Sequence, residues 1–392
     1  MSDAPRVLIT GIGVVHALGT GDGGVMRTAL SRARAGVAPL RAFSTDGLSS
    51  HLGVELPPSA LETLIDPAQA RRLSRVSQIT VAACRLALSD AGLGADHGVS
   101  LVLGTEFGDL RSTEEFALGY LERGVTGLSA VAFPNTVMNT MAASTAIALG
   151  LHGASITLTA RQLAGELAIA RAAALVRTGR ADVVLAGGVD ELQPLRFAML
   201  SRLGVLSPRD GRAEGCHPFD ERANGAVYGE GATFLVLESA AAAAARGVRV
   251  HGEIRGAAWR FGTRANAIGR ALAAAATEAS EIGWVYATGS GHPEDERLEI
   301  TGLRKTFDGR VPPVTSLMPV AGQHAGLGAL RVGAAAWTAR AGVLPGIATL
   351  ETPRADARGV VRGPGLHEVR AGAGLVYGAS ACGDQVAIVV AA

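Results

Sequence analysis

Residues 179–188 read Gly-Arg-Ala-Asp-Val-Val-Leu-Ala-Gly-Gly. Within them Val183-Val184-Leu185-Ala186 is apolar at every position, the pattern of a strand covered on both faces. Val386-Ala387-Ile388-Val389-Val390 reads the same way. Just upstream of the first run lie a helix-length amphipathic segment, 162–178, and a further strand, 154–159. Working outward, strand-like runs are expected at 6–13, 99–104, 154–159, 182–188, 232–238, 283–288, 373–378 and 385–391. Helices are expected at 68–92, 110–123, 135–149, 162–178, 265–281 and 323–341. Alternation of this kind predicts an α/β fold with its sheets covered by helices. Residues 204–231 break the pattern with Gly, Pro and charge. Pro218-Phe219-Asp220 and Gly229-Glu230-Gly231 are specific turn chemistry, so this segment reads as a long ordered loop. The chain is expected to divide into two halves, 1–240 and 241–392.

The composition of the 392 residues sets bounds: 48% are hydrophobic, 18% charged, and the net charge is +1. A large core is possible, while neither nucleic acid nor an anionic membrane surface is an expected partner. Aromatics at 4% leave little for base stacking. No uninterrupted apolar run reaches the roughly 18 residues of a membrane span, and the start lacks a basic segment leading into an apolar stretch, so a cytoplasmic location is expected. Cys84, Cys216 and Cys382 are too few and too dispersed for a disulfide framework or a zinc site. Gly11-Ile12-Gly13 falls short of a dinucleotide loop, because His16 stands where the third glycine is needed.

Four stretches together resemble the β-ketoacyl-acyl-carrier-protein synthase family: Val7-Leu8-Ile9-Thr10-Gly11-Ile12-Gly13-Val14-Val15, the 179–188 strand, His217-Pro218-Phe219-Asp220-Glu221-Arg222, and Gly229-Glu230-Gly231-Ala232. The likeness runs nearly end to end. It implies a thiolase-like fold, two pseudo-repeated α/β halves in a five-layer α-β-α-β-α arrangement. Active members attack an acyl thioester with a Cys at a strand-to-helix elbow, its thiolate favoured by the helix N-terminus. Two His residues polarise the malonyl carbonyl and stabilise the enolate formed on decarboxylation.

By family spacing the Cys position here is Gln162, in Thr159-Ala160-Arg161-Gln162-Leu163-Ala164-Gly165. The first His position is Thr288, in Tyr286-Ala287-Thr288-Gly289-Ser290. An ungapped match puts Gly322 at the second His and Leu317 at a preceding Lys; a one-residue slip puts Gln323 at the His. Glu299, the usual partner of the lost Lys, is expected to find Arg297 or a water network. Ser380 and Cys382 stand where two gating Phe residues flank a Gly. His292 and His324 lie close by but out of register, and a catalytic group misplaced by about 1 Å can lose roughly a hundredfold in rate.

The resemblance therefore implies a chain-length factor: a non-condensing subunit, without metal or cofactor, that pairs as a heterodimer with an active ketosynthase α subunit. An acyl carrier protein with its phosphopantetheine-bound polyketide chain would be the further partner, in type II polyketide synthesis. Leu110, Thr113 and Ala117 share one helix face, and with Phe107 or Phe116 they are expected to line or close the product tunnel. Met138 sits in a helix near the dimer seam, strand 154–159 pairs across the dimer axis in the family, and Arg161 would face the partner. Three alternatives stand beside this: a Gln-type malonyl-carrier-protein decarboxylase that supplies a starter unit, a homodimer with other chemistry at His292, His324 or Cys382, and a plain binding module without tunnel function.

Overall fold

The computed structural model describes residues 5–94, 98–262 and 266–392. Ten strands make up most of its main sheet. They are β1 (Val7–His16), β2 (Ser100–Thr105), β3 (Ser155–Thr159), β4 (Val183–Asp190), β5 (Gly231–Ser239), β6 (Gly252–Phe261), β7 (Val285–Ala287), β8 (Val314–Thr315), β9 (Gly374–Ala379) and β10 (Asp384–Ala391). The longer helices are α1 (Gly23–Ser31), α2 (Arg75–Asp90), α3 (Leu110–Arg123), α4 (Thr140–Leu149), α5 (Ala164–Arg177), α6 (Pro194–Arg202), α7 (Ala267–Ala275), α8 (Pro293–Thr306) and α9 (Ala325–Ala341).

The spatial order is β3-β2-β4-β5-β1 for the first five strands and β8-β7-β9-β10-β6 for the last five. Each set follows the same path in chain order: third, second, fourth, fifth, first. In each, the fifth strand runs antiparallel to both neighbours and the other contacts are parallel. The two sets touch where Val7–Ile9 pairs with Gly252–Ile254. Helices α5 and α9 pack on each other and on both strand sets; α2 and α4 cover the outer side of the first set, α7 and α8 that of the second. These are the five layers of the thiolase-like arrangement. The fully buried strands β4 and β5 lie beneath α9, which is itself buried along nearly its whole length, as a helix apolar on all sides must be.

Close packing explains two glycines that looked like a cofactor loop. Gly11 and Gly13 lie in β1, and a Cβ at either would collide with the Ala87 or Ala83 carbonyl of α2. The pair lets a helix lie directly on strand backbone. The 217–222 and 229–231 motifs also serve as anchors. The Asp220 carboxylate accepts from the Arg222 guanidinium and from the backbone N–H groups of Glu351 and Thr352. Glu230 receives a two-pronged contact from Arg75 and the N–H groups of Leu56 and Leu192.

Several boundaries differ from the sequence reading. The 68–92 helix is a short turn, Pro67–Ala70, followed by α2 from Arg75, because Gln78 Nε2 bonds the Ala70 and Leu73 carbonyls and breaks the run. The 135–149 helix begins at Thr140. The 265–281 helix is α7 alone: Ala276 turns left-handed at φ 47°, and Glu278 starts a separate capped turn; residue 265 lies outside the described residues. Strand β6 was missed because its Gly and Arg residues interrupt any alternation. Among the described residues no helix is long and apolar enough to cross a membrane.

Candidate functional site

Strand β3 ends at Thr159, and a turn of 3-10 helix, Arg161–Leu163, carries the chain into α5. Arg161 holds φ +48°, a left-handed conformation costly for a side chain of this size. This is the elbow geometry that exposes a side chain at a helix start. It presents Gln162 to a cleft of about 230 Å³ whose lining also includes Tyr228, His292, Asp295, Gln323 and Ala381. The Gln162 carbonyl accepts from Gln323 Nε2 at 3.4 Å. That accepting carbonyl is the backbone one, and Gln162 Nε2 and Gln323 Oε1 are both buried without a partner among the described residues, so both side-chain amides keep hydrogen-bonding capacity to spare.

The backbone decides between the two sequence registers for the second His position. Gly322 has φ +68°, and a Cβ there would collide with Gly229 and Tyr228. No imidazole could stand at Gly322. Gln323, whose backbone bridges Tyr228, projects into the cleft instead; the ungapped assignment of that role to Gly322 is thereby corrected. Thr288, at the end of β7, is buried and is not among the cleft-lining residues. Its N–H and that of Gly289 each donate to Glu299 at 2.9 Å. Glu299 has thus found backbone amides, not Arg297.

The off-register histidines separate. His324 is wholly buried and its ring lies 5.1 Å from that of His16, away from the cleft. His292 lines the cleft with its Nδ1 3.1 Å from Arg209 Nη1; burial and the Arg209 charge pull its pKa below the ordinary value, against Asp295 and Glu294. Cys382 is exposed and its sulfur contacts the Arg161 guanidinium. In the gate run Ala381 faces the cleft, its N–H bonded to Asp295 at 2.6 Å, while Ser380 is buried.

The expected tunnel residues do not line this cleft. Phe107 is half-buried beneath the Arg196 guanidinium, which lies 4.6 Å from its ring and 4.9 Å from that of Tyr228. Leu110 and Thr113 are half-buried on α3, Phe116 packs on Phe133 with centroids 5.7 Å apart, and Ala117 is exposed. Met138 is partly exposed with its sulfur against Gly108. These side chains border an outer surface, since α3 turns much of its length to solvent. Sequence reasoning missed Tyr228 and Arg209 as cleft residues; both sit in the 204–231 loop, where apolar Ala226-Val227-Tyr228 was the available signal.

Buried ionisable groups around the site set a pH dependence. Burial pushes Glu296 up to about 8, outweighing its amide bonds and Arg354. It likewise takes Glu299 to about 7, and Glu106 to about 7 despite Arg196. Folded-state values above the unfolded 4.5 mean that the folded chain keeps protons the unfolded chain releases. Their contribution is therefore complete below about pH 4.5 and is lost as pH rises through 7–8. His16, which burial pulls down to about 3 from 6.5, acts in the other direction and removes stability as pH falls below 6.5. Three such carboxyls outweigh the one histidine, so thermal unfolding is expected to show highest stability near pH 4.5 and a continuous fall from about pH 5 to pH 8. Each group contributes a slope of about 1.4 kcal/mol per pH unit inside its window. Glu296→Gln should flatten the alkaline limb; an unchanged limb would refute the assignment.

With this geometry in place, likeness to known proteins is informative. Residues 4–243 match the family model described as beta-ketoacyl synthase, N-terminal domain. The oxytetracycline polyketide beta-ketoacyl synthase 1 of Streptomyces rimosus is 30% identical over 388 residues, covering 90% of this chain and 89% of that protein. The 3-oxoacyl-[acyl-carrier-protein] synthase 2 of Staphylococcus aureus is 28% identical, covering 78% of each chain. Among solved structures, one described as the ishigamide ketosynthase/chain length factor superposes with a TM-score of 0.91 at 24% identity, covering 99% of both chains.

Proposed function

Because this chain belongs to the beta-ketoacyl synthase family, we propose that it is a non-condensing member which pairs with an active ketosynthase in type II polyketide synthesis and limits product length. The observation that carries the reading is the elbow. Gln162 stands in the turn that leads into α5, and a second amide, Gln323, lines the same cleft and donates to its backbone carbonyl. An amide is no nucleophile at physiological pH, and neither residue can act as an acid or base. The polyketide context follows from curated relatives of that description, which cover most of this chain. The intact core around a site without its reactive groups fits a protein kept for shape and partnership. Leu110, Thr113 and Ala117, near an open surface of α3, are then positioned for a tunnel wall completed by the partner subunit.

One observation favours the decarboxylase as the second reading. His292 lines the same cleft as Gln162 and is kept neutral by burial and Arg209, a form able to donate a hydrogen bond to a developing enolate. A single assay separates the two readings. The purified chain, given malonyl-loaded carrier protein, should release no carbon dioxide above the carrier-only blank and take up no acyl label. Release abolished by His292→Ala would put the decarboxylase first. In the pair with its cognate ketosynthase, Leu110→Ala or Phe116→Ala should shift products to longer chains; an unchanged length distribution would remove these residues from the tunnel wall.

A further inference from the structure

A second recess of about 210 Å³ opens where the C-terminal end of α9 meets α1 and the approach to β6. Trp337 lies 12 residues along α9 from Ala325; at 1.5 Å per residue the recess is roughly 18 Å from the amide cleft. Its floor is apolar, formed by Ile12, Met26 and Gly333, with the half-buried Trp337 beside them. Its walls carry Arg27, Arg249 and Arg340, together with the 94%-shielded His251 (6% exposed).

Three arginine side chains line this one recess. Among the described residues none of the three forms an ion pair; Arg340 is engaged only with the Val250 carbonyl. Two carboxylates lie close by, both already committed: Asp22, near Arg27, caps α1 through the Gly24 and Val25 N–H groups, and the other is Asp90. It accepts the Ile12 N–H at 2.9 Å and lies 2.8 Å from His251 Nε2. Burial by itself would raise Asp90, yet these bonds and the Arg249 charge bring it below the ordinary carboxylate range. The partial negative charge at the end of α9 is offset by Arg340 in its last turn. A concave site with several unpaired guanidinium groups is built for a compact polyanion, because a planar fork of N–H donors suits phosphate oxygens. The volume holds roughly seven waters at about 30 Å³ each, enough for a phosphate group and a small apolar or aromatic portion against Trp337.

We propose that this recess binds a phosphate or small phosphate monoester, held by Arg27, Arg249 and Arg340 with Trp337 against its organic portion. The site is separate from the elbow cleft and does not depend on the function proposed for it. Calorimetric titration of the full chain with inorganic phosphate and with phenyl phosphate, at ionic strength fixed with sodium chloride, tests it. Saturable binding should weaken at least tenfold in Arg27→Ala/Arg249→Ala, whose side chains are surface-accessible and can be removed without opening the core. Tighter binding of phenyl phosphate that is lost in Trp337→Ala identifies a monoester with a ring; equal binding of the two probes identifies phosphate itself. Absence of saturable binding by either probe, or binding unchanged in the double variant, overturns the proposal.

Discussion

Replacing Arg331 by methionine is expected to destabilise the folded chain by about 3–5 kcal/mol, the usual consequence of leaving a buried charge without its partner. Arg331 on α9 and Glu166 on α5 are each about 1% exposed and form an ion pair inside the central helix layer. Arg331 also donates to the Tyr377 carbonyl at 3.1 Å. The Glu166 carboxylate has no room to swing away, because a Cβ added at Gly328 would meet it. Removing the guanidinium therefore strands a carboxylate between two sheets. Against a typical net stability of about 5–15 kcal/mol, this is a large share. Urea unfolding should show a lowered midpoint for Arg331→Met and substantial recovery in Glu166→Gln/Arg331→Met, which removes both charges. If the double variant is no more stable than the single, charge stranding is not the cause.

The same central layer shows how far the sequence could be read. The strands at 183–190 and 384–391 were legible because an unbroken apolar run admits few other placements, and their burial in the structure is complete or nearly so. The elbow at Gln162 was legible by its spacing from Gly187-Gly188, since a helix and a strand of fixed length intervene. The position opposite it was not. Gly322 and Gln323 differ by one residue, and nothing in composition separates them; the left-handed backbone of Gly322 and its contact with Gly229 do so only once the chain is folded. His292 and His324 illustrate the same limit. Both are histidines near a candidate site, yet His292 lines the cleft and His324 lies against the buried His16 ring, a difference set by the helix each one precedes. Leu110, Thr113 and Ala117 do share a helix face, but periodicity cannot say whether that face meets a cavity within the chain or a surface awaiting another chain.

That surface leads to the other large effect: on the heterodimer reading, Val131→Glu/Ile147→Glu should abolish co-purification with the companion ketosynthase. Val131 is 87% exposed and Ile147 83%. Around them Leu121, Val125, Phe133 and Val137 are exposed as well, a concentration of apolar side chains on the α3–α4 side that a lone chain in water gains nothing by displaying. Strand β3 ends the sheet on this side, bonded to β2 and, among the described residues, with no strand on its other edge. An open edge beside exposed apolar groups is what a second sheet edge would complete. Two carboxylates placed in that contact would be desolvated without partners, costing several kcal/mol, and every 1.4 kcal/mol is tenfold in affinity. A loss of at least a hundredfold is expected in a pull-down or on a sizing column. Arg161→Glu, a charge reversal at the exposed elbow, should weaken the same pair. Leu366→Glu, on the short strand Leu366–Glu368 outside the main sheet, should leave it intact. Full retention of the companion subunit by Val131→Glu/Ile147→Glu would mean that this face is not the seam, and the tunnel wall assigned to α3 would lose its second half.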